Sequence, residues 1–465
     1  MTVLRPYQTV IIDQARDLMQ RGVRSMLIQS PTGSGKTLLT AHMLGTAASK
    51  GMSSWFTVHR RELVKQSIRT FNDVGIRFGV VAAGFFEAPR APIQIASIQT
   101  LARRYQRLRR PRLIIWDECH HIAAGSWAAI HKSLPDAFHI GLTATPERLD
   151  GKGLGDFFQE MINGPSVAWL IENGYLAPYR LYAPSSVNVS GVHTKMGDYV
   201  KSELAAVVDR PTITGDAIKH YVKYAAGKRA VVFCVSIEHS KHVVSQFQAA
   251  GIPAAHVDGE TDVAERDAAI KKFERGDVRV LSNVELFGEG FDLPAIEAAI
   301  LLRPTQSLGL YLQQVGRALR PSPGKAQAII LDHAGNCQQH GLPDEDRVWS
   351  LLGRDSGHKQ NGDAGPSVRI CPRCFAAQFF ARTTCQFCGT AFETKPRQVD
   401  HVDGDLVEVD PAVIQAQRRR EQGRAETLQD LIAIGKQRGY KKPYAWAHHV
   451  FQARQRRKLA EGRIV

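Results

Sequence analysis

The stretch Ser30-Pro31-Thr32-Gly33-Ser34-Gly35-Lys36-Thr37 constrains this chain more than any other. It follows an apolar run, Met26-Leu27-Ile28, and precedes a helix-forming run from Leu38. In that strand–loop–helix setting, backbone N–H groups of a Gly-rich turn converge on one anion, and the helix N-terminus adds partial positive charge. Thr32, Gly33, Ser34 and Gly35 would wrap the phosphates, Lys36 would hold the outer ones, and Thr37 would ligate Mg²⁺. Ser30 stands where the full pattern has its first Gly. A partner lies downstream: Leu113-Ile114-Ile115-Trp116, then Asp117-Glu118-Cys119-His120. An apolar strand ending in Asp-Glu sets two carboxylates at the carboxyl edge of a sheet. There Asp117 can hold the water shell of the Mg²⁺, and Glu118 can orient and deprotonate an attacking water. Both motifs following strands disfavours an accidental glycine turn and an unrelated acid pair.

The 465 residues suggest about three domains, and 43% hydrophobic content is that of a globular chain. No apolar run reaches roughly 18 residues, so no membrane span is expected. The N-terminus lacks a basic segment followed by an apolar one, so a cytoplasmic location is expected over export. A net charge of +15 favours a polyanionic partner. From Pro411 to Val465 there are thirteen Lys or Arg against four Asp or Glu, an excess of nine, so much of the imbalance lies in the tail.

Three of the seven cysteines are scattered: Cys119, Cys234 and Cys337. The others form Cys371-x-x-Cys374, ten residues, then Cys385-x-x-Cys388. Without an export signal, this spacing reads as a structural Zn²⁺ site rather than disulfides, free thiols or a redox pair. All four thiolates are used, which leaves no open position for catalysis. Metal binding would supply much of the folding energy of so short a segment.

Hydrophobic runs alternate with helical patterns twice, the signature of α/β architecture with parallel sheets. Residues 1–178 carry strand candidates Met26–Gln29, Ser54–Val58, Ile93–Ser97, Leu113–Trp116 and His139–Leu142. Residues 179–342 carry Ala230–Val235, Ala254–Val257, Val278–Asn283, Ala298–Leu302 and Ala328–Leu331, with no phosphate loop of their own. The stretch 169–210 reads as an irregular connection and 343–367 as a polar, Gly-rich linker. The cysteine module then occupies 368–395, and a basic, mainly helical tail 396–465.

In order, the motifs resemble those of a superfamily 2 helicase. Arg5-Pro6-Tyr7-Gln8 resembles an adenine-reading Q motif, and Ser30–Thr37 motif I. Val58-His59-Arg60-Arg61-Glu62-Leu63 resembles motif Ia, Ala96-Ser97-Ile98-Gln99-Thr100-Leu101 motif Ic, and Asp117–His120 a DECH motif II. Leu142-Thr143-Ala144-Thr145-Pro146 is similar to motif III and Val232–Ser236 to motif IV. Gly288-Glu289-Gly290-Phe291-Asp292-Leu293-Pro294 is similar to motif V, and Gln313-Gln314-Val315-Gly316-Arg317-Ala318-Leu319-Arg320 to motif VI. The run after motif III, Pro146–Gly153, and Leu331-Asp332-His333-Ala334-Gly335-Asn336 resemble the RadD-like and XPB-like branch.

The resemblance implies two tandem RecA-like domains around one ATP. Gln8 would read the base edge, and Gly290 and Asp292 would add to the nucleotide site. Arg317 and Arg320 would reach across from the second domain to the transferred phosphoryl, a contribution of roughly 10³–10⁵ in rate. His120, Thr143, Thr145 and Gln313 would couple nucleotide state to the polymer. Arg60, Ser97, Gln99, Thr100 and Ser236 would contact the strand backbone. The activity implied is ATP-dependent DNA helicase or translocase action in repair, recombination or replication. Single-stranded, forked or duplex DNA would be the partner, with other DNA repair or replication proteins beside it, in a bacterial or phage-type, nucleoid-associated setting. An RNA helicase and a nucleotide-switched adaptor are the alternatives. The basic run Arg103–Arg110 and the tail segment Arg438–Ala447, which mixes basic and aromatic residues, are further candidates for phosphate contact.

Overall fold

The computed structural model describes residues 4–148, 151–184, 194–195, 198–199, 211–284, 296–353 and 368–392. In the C-terminal segment it describes 421–422, 425, 427–437, 444, 447 and 450–451. The chain divides into two compact units, Met1–Thr394 and Lys395–Val465.

The first sheet contains β1 (Ser25–Gln29), β2 (Ser54–Val58), β3 (Gly79–Val81), β4 (Ile93–Ser97), β5 (Leu113–Asp117), β6 (Phe138–Thr143) and β7 (Glu160–Asn163). Their spatial order is β3-β4-β2-β5-β6-β1-β7, and every pairing is parallel. β1, β2, β4 and β5 are buried throughout, as expected of parallel strands covered on both faces. Helix α1 (Pro6–Gln20) precedes β1, and α2 (Lys36–Ser49), α3 (Arg61–Asp73), α4 (Ile98–Arg104) and α5 (Gly125–Ser133) lie between strands in the chain.

A helix α6 (Val167–Glu172) follows, then β8 (Tyr179–Tyr182) and a small antiparallel ladder of β9 (Thr194–Lys195) and β10 (Asp198–Tyr199). The second sheet adds β11 (Ala230–Phe233), β12 (Ala254–Val257), β13 (Val280–Asn283), β14 (Ala298–Leu301) and β15 (Ala328–Asp332). Its order is β12-β13-β11-β14-β15-β8, again all parallel.

Two segments depart from the sequence reading. The stretch 169–210 is not wholly irregular, because it contains most of α6 and the edge strand β8. Nor are residues 343–353 a free linker. They return from the second lobe to the first, where Leu351 O accepts from Gly155 N at 2.9 Å. Gly353 bridges Lys152, and Tyr179 Oη donates to Asp344. Polar composition was misleading here: main-chain pairing and a self-wrapped Arg347, whose guanidinium donates to the carbonyls of His340, Leu342, Pro343 and Glu345, order the segment.

The cysteine module forms a two-stranded hairpin, β16 (Val368–Ile370) and β17 (Ala377–Phe379). It covers the open edge of the second sheet through a bridge between Tyr182 and Ala376. In the second unit, the helix Leu428–Gln437 carries Leu431 into a small cluster with Ala425 and Ala447.

Candidate nucleotide site between the two lobes

The phosphate loop leaves the buried end of β1 and enters α2. Gly33 and Gly35 take left-handed backbone conformations, φ +87° and +82°, which a glycine adopts without strain. The Lys36 ammonium donates to the loop carbonyls of Ser30 (3.1 Å) and Pro31 (3.4 Å). Ser30 Oγ donates to Ser34 Oγ at 2.7 Å, so Ser30 ties the loop together where a glycine was expected. The Tyr7 hydroxyl donates to Ser34 O at 2.6 Å.

Gln8 is buried, and its amide donates to Ser34 O (3.1 Å) and Gly35 O (3.3 Å). Its oxygen accepts from Arg5 N at 3.0 Å. The structure therefore places Gln8 as a brace under the loop, with its polar atoms already engaged. Beside it Tyr7, Trp169 and Tyr175 form an aromatic cluster, with the Arg5 guanidinium 5.0 Å from the Tyr175 ring centre.

A cleft of about 260 Å³ opens in front of the loop. Thr32, Gly33, Gly35, Lys36 and Thr37 line it from β1–α2, and Asp117 and Glu118 from the end of β5. Gln313, Arg317 and Arg320 line it from the second lobe, on and just beyond the helix Leu308–Ala318. The approach is close, since a β-carbon on Gly33 would stand 3.4 Å from Arg320 Cγ.

The charges are mutually sensed. Burial pushes the Lys36 ammonium below its ordinary value; Glu118 and Asp117 oppose that shift, while Arg317 and Arg320 add to it. Burial, then the neighbouring Glu118, pushes the Asp117 carboxyl up, with Lys36 opposing. A buried carboxylate pair facing a lysine suits a divalent cation and phosphates, whose charges would balance it. Glu118 itself has φ +48°, a strained setting for a residue with a side chain, and its Oε2 is buried without a hydrogen-bond partner.

From Glu118 a polar chain leads to the second lobe. His120 Nδ1 lies 3.5 Å from Glu118 Oε2 and 3.2 Å from Thr143 Oγ1. Thr143 Oγ1 donates to Thr145 O at 2.9 Å and accepts from Thr145 N at 3.2 Å. Its one proton is thus spent, which assigns the hydrogen in the contact with Thr143 to His120 Nδ1. Thr145 abuts Gly309, where a β-carbon would stand 2.9 Å from Thr145 Oγ1.

The candidate strand contacts are engaged locally in this state, Ser97 and Ser236 as helix caps. Ser97 Oγ accepts from Thr100 N at the start of α4, and Ser236 Oγ from His239 N at the start of its own helix. Gln99 donates to His59 O and Arg60 Nε to His59 Nε2. The run Arg103–Arg110 is largely exposed, with Arg104 paired to Glu87. Gly290 and Asp292 lie outside the described residues, as does most of Arg438–Ala447.

Several lining residues escaped the sequence reading. Leu63, Gln66 and Thr70 of α3 face the cleft. Glu62 accepts from Arg266 of the second lobe at 2.7 Å, and Lys65 faces Asp267 at 3.5 Å. Glu62 and Leu63 fell within the motif Ia stretch, whereas Lys65, Gln66 and Thr70 lay beyond it, and a partner 204 residues away leaves no sequence signal.

The four module cysteines place their sulfurs within 4.8 Å of one another. Cys371–Cys388 and Cys374–Cys385 are both 3.6 Å apart. A tetrahedron with Zn–S bonds of about 2.3 Å has edges of about 3.8 Å, so the set fits zinc.

Two family descriptions match in chain order: "Type III restriction enzyme, res subunit" over residues 1–148, and "Helicase conserved C-terminal domain" over 214–322. A 51.5 kDa protein of a Lactococcus phage is 37% identical over 372 residues, 80% of this chain and 79% of the phage protein. IRC3 of Saccharomyces cerevisiae, provisionally named an ATP-dependent helicase, is 28% identical over 72% of this chain. The match spans only 52% of the yeast protein. The DNA 3'-5' translocase XPB2 of Sulfurisphaera tokodaii is 23% identical over 68% of this chain and 81% of its own length. Among solved structures, a fragment provisionally assigned as the HsdR subunit of a Vibrio vulnificus type I restriction enzyme is 25% identical. It superposes with a TM-score of 0.59 and covers 74% of this chain and 67% of that one. By sequence and by fold alike, the chain belongs to the superfamily 2 helicase ATPases.

Proposed function

We propose that the chain is a DNA-dependent ATPase that moves on or separates DNA strands, with its nucleotide held by one lobe and triggered by the other. One observation carries the reading: the phosphate loop, Asp117, Glu118, Arg317 and Arg320 line a single cleft. Lys36 holds the outer phosphates, and Thr37 and Asp117 hold Mg²⁺ through its ligand sphere. The ion, when bound, neutralises phosphate charge. Glu118 orients and takes a proton from the attacking water, aided by a fixed His120. Arg317 and Arg320 meet charge developing on the phosphoryl, so hydrolysis requires both lobes together. The chain His120–Thr143–Thr145–Gly309 then links the cleft to lobe closure. A polymer bridging Arg60, Ser97, Gln99 and Thr100 with Ser236 favours that closure, and caps on those side chains give way to backbone phosphates. DNA is favoured over RNA by the DECH spelling and by the archaeal relative named a DNA translocase. Cys371, Cys374, Cys385 and Cys388 hold Zn²⁺ as a structural ion. We place that activity in DNA repair, recombination or replication in a phage or bacterial cell.

ATP hydrolysis by the full chain, with single-stranded, forked and duplex DNA and with RNA, tests the reading. Turnover is expected to rise with DNA and to vanish in Lys36→Ala and Glu118→Gln. Equal turnover with and without every DNA, or stronger activation by RNA, overturns it.

A further inference from the structure

The two halves of the cysteine module are built alike. In the first, Phe375 N donates to Cys371 O (2.8 Å) and Cys371 N to Ala376 O (3.0 Å). In the second, Gly389 N donates to Cys385 O (2.9 Å) and Cys385 N to Thr390 O (2.8 Å). In both, the residue after the second cysteine is left-handed: φ is +59° at Phe375 and +71° at Gly389. Glycine takes that conformation freely, whereas a side chain there is strained. Phe375 is also 43% exposed, so burial offsets that strain only in part. Its carbonyl accepts from Ala183 N at 3.3 Å, but that contact needs main chain only and would serve glycine equally. A phenylalanine in the position that glycine holds in the other half points to a use for the ring.

The surroundings say which use. Phe379 and Phe380 are 39% and 42% exposed. The Arg369 guanidinium stacks 4.4 Å from the Phe380 ring centre and 4.8 Å from that of Phe392. Arg373 and Arg382 are exposed, and residues 368–392 contain no Asp or Glu. Exposed aromatic rings among arginines, with Glu393 the module's one carboxylate at its margin, suit stacked bases and a phosphate backbone.

The geometry points to this module as a second contact surface for single-stranded nucleic acid, with Phe375 a stacking platform. The inference rests on the nucleic-acid reading of the motor for the identity of its polymer. It assigns the module a share of binding, not of hydrolysis.

The test uses the full zinc-loaded chain carrying Phe375→Gly, with Phe375→Trp as the conservative variant. Four quantities are read: affinity for a fluorescent oligothymidylate without nucleotide, kcat at saturating DNA, zinc content and Tm. Phe375→Gly is expected to weaken oligothymidylate binding about tenfold, the scale of one lost base stack. Zinc content, kcat and an equal or higher Tm are retained, and Phe375→Trp binds like the parent. Unchanged affinity in Phe375→Gly overturns the inference, as does a loss of zinc or Tm alongside affinity, which marks the ring as structural. A parent chain that binds the oligothymidylate but shows no DNA-stimulated turnover counts against the motor reading alone.

Discussion

A β-carbon on Gly316 would stand 2.6 Å from the β-carbon of Thr32. The helix carrying Arg317 therefore meets the phosphate loop backbone to side chain, and only glycine permits it. Gly316→Val is expected to hold the lobes apart: kcat falls at least tenfold while each lobe keeps its fold, which circular dichroism and steady-state kinetics would show. Arg317→Ala is expected to lower kcat by roughly 10³–10⁵ with little change in ATP affinity, the mark of a group that acts on developing charge. Comparable losses of affinity and kcat would instead place Arg317 in ground-state binding. Gln8 shows the limit of residue-level reading. Its position in the motif was visible, but its engagement with Ser34 O and Gly35 O depends on a loop 26 residues away.

α3 illustrates the element scale. Its buried positions Leu63, Val64, Ser67 and Phe71 follow a helical period. Glu62 instead turns to Arg266, which is only 7% exposed. This pair joins the lobes, so a double-mutant cycle with Glu62→Gln and Arg266→Met should give a coupling of about 1–3 kcal/mol in the nucleotide-bound form. Near-zero coupling would mean that the pair contributes nothing to closure. The first sheet also carries a pH dependence. His139 accepts from Trp116 Nε1 at 3.1 Å and holds Leu134 O through Nε2, while His131 packs 4.2 Å away. Burial pushes His131 down to about 4, with His139 adding to the shift, and burial also lowers His139. Between pH 6.5 and about 4 the unfolded chain therefore binds more protons, and stability falls as pH falls. About 1–2 kcal/mol of acid-induced loss should disappear in His131→Gln, read from urea midpoints at pH 7 and 5.

Across the whole Met1–Thr394 unit, the two lobes are joined twice, once before β8 and again by the strap 343–353. The strap forms one wall of an open cavity of about 330 Å³, also lined by Pro31, Thr32, Ala144 and Gly316. It docks through paired glycines, because a β-carbon on Gly153 would lie 1.9 Å from Leu351 O. Gly153→Val should therefore release the strap, destabilise the unit by about 2 kcal/mol and raise the KM for ATP. An unchanged KM would show that the strap does not govern closure. Stripping zinc with a chelator should unfold the 368–392 hairpin and uncover the edge of β8, with aggregation as the readout.

The sequence alone determined the repeated strand–helix alternation, the phosphate loop, the Asp117–Glu118 pair and the four zinc-ligand candidates. Each is a local pattern: apolar runs of strand length, glycines where φ is positive, thiols at knuckle spacing. The strands β3, β7 and β8 lacked such a signal: β3 has three residues, and β7 and β8 are only partly buried edge strands without a continuous apolar run. Tertiary structure alone decided that Arg266 meets Glu62, that Gly316 rests on Thr32, and that a polar, Gly-rich segment becomes a strap. Those contacts join residues far apart in the chain, and their free energy comes from desolvation and close approach, which exist only once both sheets have formed.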